Sequence, residues 1–156
     1  MTYFVDEHDF EKYPELTSSD LANIGFMSPH EQIERNFVAE VVRVHDGDTV
    51  TLRTDFRDFD FPLRFATIDA PELNTGTPGK EARDFLAGMI MGETVEVKID
   101  RHNRVDKYGR LLGDVIVGGQ SAGAVLLQFG FALPFSRRLE GEFPDLNKAL
   151  RLNQWF

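Results

Sequence analysis

From Phe37 onward the chain is laid out as short runs of alternating apolar and polar residues, broken by turn residues. That arrangement limits the fold more than any other feature, because each run is too short for anything but a strand or a single helix. NFVAEVVRV, TVTLRT after an Asp-Gly-Asp turn, and FDFPLRFATI read as a three-stranded meander, with acidic Asp58–Asp60 at the second hairpin end. Pro78 and Gly79 open KEARDFLAGMIM, where Ala82, Phe85, Leu86, Met89 and Ile90 recur at helical spacing until Gly92 ends the helix. ETVEVKID gives a fourth strand, and RLLGDVIV, ending at Gly118-Gly119, a fifth. Ser121 caps the apolar helix AGAVLLQF, which stops at Gly130. A last helix is expected near Pro144, with Leu146, Ala149 and Leu150 inward and Trp155 at the core edge. This order predicts a β-rich α+β fold: a five-stranded Greek-key barrel of the OB type with two to three helices.

The first 36 residues are different. They are acidic, lack sustained alternation and are interrupted by Pro14, Gly25 and Pro29. We read 1–36 as an acidic, loosely docked N-terminal extension and 37–156 as the domain proper. Ser28 followed by Pro29 and Glu31 is a helix-start pattern, so a short helix is expected there. Residues 1–38 hold eight acids against two bases, most of the formal charge of −9, and the segment is a candidate site for a protein partner. A net negative chain is not a nonspecific nucleic-acid binder working by counterion release. No cysteine is present, which excludes disulfides, thiolate metal sites and a cysteine nucleophile. Neither a signal-like leader nor an apolar run of membrane-spanning length is evident, so a cytoplasmic location without membrane contact is expected.

Three pieces of sequence carry chemistry. Asp46-Gly47-Asp48-Thr49 lies where two strands meet, and it reads on its own as a hairpin turn. PLRFATIDAPE carries Arg64, Asp69 and Glu72, with Pro71 forcing Ala70 into an extended conformation and ending sheet pairing. DKYGR, Asp106–Arg110, is by itself a polar turn. Together they offer acids suited to a hard cation and arginines suited to a phosphate, the ingredients of metal-assisted phosphodiester chemistry. Strict alternation would put Arg64 and Asp69 on opposite faces, so a shared site requires a bulge or bend between them.

Through VVRVHDGDTVTL, PLRFATIDAPE, GKEARDFL and RVDKYGRLLGDV, with a weaker echo in NQWF, the chain resembles the staphylococcal nuclease family. The match covers roughly Phe37 to Ala132. The resemblance implies that Asp48, Asp69 and the Ala70 carbonyl hold Ca²⁺, and that Glu72 positions or activates the attacking water. It implies further that Arg64 and Arg110 clamp the scissile phosphate, and that Lys107 and Tyr108 contact a flanking phosphate. DNA and RNA are both implied substrates, cleaved by in-line attack of water with departure of the 5′ oxygen.

The chain departs from that pattern after Gly130, where FALPFSRR lacks the family's tyrosines and offers Phe131 and Phe135 for packing only. A different class of function is a binding or scaffolding module, since some nuclease-like barrels have lost their active-site residues. Presence of Asp48, Arg64, Asp69, Glu72 and Arg110 together favours the enzyme. His8, His30, His45 and His102 are too scattered for a zinc set, and Phe56, Phe59 and Phe61 form a candidate exposed patch.

Overall fold

A computed structural model describes residues 8–135. Strands β1 (Phe37–Asp46), β2 (Thr49–Arg53) and β3 (Phe61–Phe65) form the meander, and the two-residue β4 (Ile68–Asp69) follows. Helix α2 (Thr77–Ile90) leads into β5 (Thr94–Lys98) and β6 (Leu111–Val117). A short β7 (Gln120–Ser121), helix α3 (Ala122–Gln128) and β8 (Leu133–Pro134) complete this part, and helix α1 (Ser18–Ile24) precedes the meander.

β1 is long enough to serve two neighbours. Phe37–Glu40 pairs with β5 and Glu40–Asp46 with β2, and register shifts after Val41 and after Val44 bend it between them. β3 pairs antiparallel with β2 and parallel with β6, while β5 joins β6 to β1. The ring of five strands therefore closes into a mixed barrel, accompanied by three helices among the described residues. Alternation does what the sequence promised. In β5, Val95 and Val97 are buried between exposed Thr94, Glu96 and Lys98. Ala82, Leu86 and Ile90 of α2 are fully buried, with Phe85 and Met89 packed at the core margin. The helix expected near Pro144 and the NQWF echo lie outside the described residues.

Two expectations are corrected. No helix starts at Ser28: its hydroxyl accepts from His30 N–H at 3.2 Å and donates to the His30 carbonyl, making a compact turn. The helix lies earlier, at α1, capped by Thr17, whose hydroxyl accepts from Asp20 N–H. The aromatic patch also does not form. Phe61 is buried and Phe59 packs against the core, while Phe56 alone is largely exposed, and the Arg57 guanidinium sits 4.7 Å from the Phe61 ring centre.

The segment before β1 is stitched to the barrel. Glu15 is 1% exposed and accepts from Arg57 Nη2, from Arg104 Nη1 at 2.9 Å and from Ile33 N–H at 2.9 Å. Leu16 and Ile33 are buried, and Gln32 bridges Leu16 N–H and the Pro14 carbonyl. The docking over 14–33 is thus close, made by a buried charge network between residues far apart in sequence. Among the described residues no helix is long and apolar enough to cross a membrane.

Candidate active site

The Asp46–Asp48 turn lies against α2 and the end of β4. A Cβ on Gly47 would stand 2.7 Å from Ala70 Cβ and 2.8 Å from Ala82 Cβ, so only glycine lets the turn approach. Gly47 does not have a positive φ, so close packing, rather than turn conformation, is what demands it. Asp46 accepts from Asp48 N–H, and the Asp48 carbonyl accepts from Phe65 N–H at 2.8 Å. The Asp48 carboxylate is thereby held rigidly at the barrel rim. It accepts from Thr49 Oγ1 and, at 2.8 Å, from Ala70 N–H.

The bend required between Arg64 and Asp69 is present at Ala66–Thr67, where the strand breaks and Ala66 N–H turns to the Gly113 carbonyl. Across it Arg64 Nη2 donates to Asp69 Oδ1 at 3.1 Å and lies 3.3 Å from Asp48 Oδ2. Arg64 Nη1 donates to the carbonyls of Phe65 and Ile68. All three charged groups are buried. Burial pushes the Asp48 carboxyl up to about 7; Arg64 opposes this and neighbouring Asp46 adds to it.

Glu72 is exposed and follows Pro71 toward α2. A Cβ on Gly79 would fall 2.0 Å from the Glu72 carbonyl oxygen, so that glycine lets the first turn of α2 seat directly under Glu72. In the loop that brings Tyr108 and Arg110 to the same cleft, Asp106 Oδ1 accepts from the backbone N–H of Tyr108 and of Arg110, and Asp106 Oδ2 from Arg110 Nε at 2.8 Å. Asp106 therefore shapes the loop and aims its arginine.

These residues meet in a cleft of about 280 Å³. It gathers Asp48, Arg64, Asp69, Ala70, Glu72, Tyr108 and Arg110, every candidate except Lys107. Lys107 lies in an adjoining cavity of about 540 Å³, shared with Tyr108, Arg110 and Phe135. The cleft also includes Asp46 and Tyr13, and Asp106 anchors its rim; none of these three was singled out as a site residue from the sequence. Asp46 and Asp106 stood within the quoted motifs, whereas nothing local marks Tyr13.

Among the described residues no cluster of three or more His, Cys, Asp or Glu side chains is disposed around a common point. The donors that converge are the Asp48 and Asp69 carboxylates, and Ala70 lines the same cleft. Two buried acids share one guanidinium, Asp46 lies close by, and burial disfavours the Asp48 charge, so the cleft is short of positive charge. An all-oxygen set with few protein ligands fits a hard cation that keeps several waters.

A family model described as Staphylococcal nuclease homologue matches residues 62–153, well over half of the chain. The chain is 36% identical over 106 residues to the Micrococcal nuclease of Shigella flexneri, covering 62% of this chain and 58% of that protein. It is 28% identical over 111 residues to Endonuclease YncB of Bacillus subtilis, covering 67% of this chain and 52% of that protein. It is also 36% identical over 99 residues to the Staphylococcal-like nuclease CAN1 of Arabidopsis thaliana, covering 61% of this chain and 29% of that protein. The chain thus spans between about a third and somewhat over half of these relatives' lengths.

Proposed function

Because the chain belongs to the staphylococcal nuclease family, we propose that it is a Ca²⁺-dependent nuclease hydrolysing the phosphodiester bonds of DNA or RNA. The observation that carries this reading is the pair of buried carboxylates, Asp48 and Asp69, joined through Arg64 on the wall of a cleft that Glu72 and Arg110 also line. The names of the relatives, a micrococcal nuclease and an endonuclease among them, support the same reaction class.

Asp48, Asp69 and the Ala70 carbonyl are the groups that would hold the ion. Bound Ca²⁺ would supply Lewis-acid stabilisation of the phosphate and a template for it. Glu72, exposed at the mouth, accepts a hydrogen bond from the attacking water and draws off its proton. As the water oxygen bonds to phosphorus, the bond to the 5′ oxygen breaks and that oxygen takes up a proton from solvent, leaving a 3′-phosphate and a 5′-hydroxyl.

The two arginines divide the electrostatic task. Arg64 already donates to two carbonyls and lies within ion-pair distance of two carboxylates, so it acts as a fixed positive charge in the wall. Among the described residues the Arg110 guanidinium is held through Nε, and its side chain is 28% exposed, so its Nη groups are the ones positioned to fork onto the phosphate as charge develops. Lys107 and Tyr108, on the same loop, contact the next phosphate along the strand.

End-group analysis tests the reaction. Incubation of a labelled oligonucleotide with the protein and Ca²⁺ is expected to yield 3′-phosphate termini. Products ending in 5′-phosphate would contradict the proposed leaving group.

A further inference from the structure

We propose that Tyr13, from the segment before the barrel, is a substrate-binding residue whose ring stacks on an unpaired base beside the scissile phosphate. The proposal rests on the nuclease reading and adds to it a contact from outside the matched family region, which begins at residue 62.

Tyr13 is half-buried and lines the same cleft as Asp48, Glu72, Tyr108 and Arg110. Its ring lies against the backbone of the loop that carries the last two. A Cβ on Gly109, where φ is +84°, would come within 3.1 Å of Tyr13 Cδ1. Glycine at 109 therefore both permits the left-handed turn and admits the ring.

The ring is held rather than draped. Tyr13 N–H donates to the Asp9 carbonyl at 2.9 Å, and the next three residues, Pro14, Glu15 and Leu16, are buried. Glu15 is gripped by Arg57 and Arg104, and the Arg104 carbonyl accepts from Leu112 N–H at 2.7 Å, just past the Asp106–Arg110 loop. Tyr13 and Arg110 are thus positioned from one framework. The cleft of about 280 Å³ persists beside the ring, which makes Tyr13 a wall and not a plug.

Stacking suits this chain. Its formal charge of −9 withholds long-range attraction for a polyanion, and no tyrosine follows Gly130. An aromatic face binds any unpaired base without needing either.

The test pairs binding with cleavage. Anisotropy of a labelled single-stranded oligonucleotide in EGTA reads affinity, and kcat and KM with Ca²⁺ read the reaction. Tyr13→Ala should weaken binding and raise KM about tenfold or more, by the same factor at low and high salt, with kcat largely kept. Tyr13→Leu, which refills the space against Gly109 without a ring, should show the same loss, and Tyr13→Phe should match wild type. Thermal melts identify any variant that fails to fold, and the Leu variant then carries the comparison. Unchanged binding in the Ala and Leu variants, tighter binding in either, or a loss in Tyr13→Phe equal to that of Ala would overturn the stacking role. Wild-type protein that binds but does not cleave would remove the nuclease reading while the binding arm still decides Tyr13. If it does neither, both fall.

Discussion

Arg64 reaches back across the bend at Ala66–Thr67 to donate to Asp69 at 3.1 Å, joining the end of β3 to β4 through a buried ion pair. The same nitrogen lies 3.3 Å from Asp48, so one guanidinium balances two buried acids. Removing it leaves both acids uncompensated, and breaking a buried pair in this way costs about 3–5 kcal/mol. Arg64→Ala is therefore expected to lower the melting temperature sharply as well as to abolish cleavage. A variant that melts like wild type would show that the pair is not structural.

Arg110 should behave differently, being partly exposed and, among the described residues, ion-paired with Asp106 alone. Arg110→Lys keeps the charge and loses the planar fork. Single-turnover cleavage is expected to slow by ~10²-fold or more, the scale of losing one donor aimed at developing charge, with affinity and melting temperature little changed. Near wild-type turnover would take Arg110 out of the catalytic set.

The raised Asp48 carboxyl gives a stability signature in metal-free protein. Its folded pKa of about 7 stands above the ordinary 3.8, so the folded state holds the proton more tightly than the unfolded state. Stability from this group is full below about pH 4, falls as pH rises toward 7 and is flat above, a change on the order of a few kcal/mol. In EGTA, Asp48→Asn should melt higher than wild type at neutral pH and converge with it in acid. Parallel melting curves for the two proteins across this range would contradict the assignment.

Glu15 is the only carboxylate bound to Arg57 and Arg104 among the described residues; Glu15 and Arg57 are buried and Arg104 is half-buried. Glu15→Ala strands two arginines and should destabilise the fold by about 3–5 kcal/mol in chemical denaturation. Deleting residues 1–33 should do the same. A truncated protein as stable as the full chain would show that the segment is dispensable to the barrel.

What could be read from the sequence was what is local. Strand alternation and the α2 periodicity gave the barrel, and the parity of Arg64 and Asp69 demanded the bend that is present. The Glu15 network was not legible, because its partners lie 42 and 89 residues away and no short pattern links them. Gly47 looked like a turn glycine, whereas its need is room against Ala70 and Ala82. The Ser28 start signal failed because its hydroxyl closed a turn on His30 instead of capping a helix. Tyr13 reaches the cleft from a segment that Glu15, Leu16 and Ile33 hold against the barrel, which no local pattern announces.

Asp48 and Asp69 are proposed to hold a Ca²⁺ ion required for phosphodiester cleavage. One measurement addresses it directly: the cleavage rate of a labelled single-stranded oligonucleotide by wild type and by Asp48→Asn, each with Ca²⁺ and with excess EGTA. Cleavage is expected only from wild type with Ca²⁺, and adding Ca²⁺ back after EGTA should restore it. Equal cleavage by wild type in EGTA, or Ca²⁺-dependent cleavage by Asp48→Asn at the wild-type rate, would contradict the account.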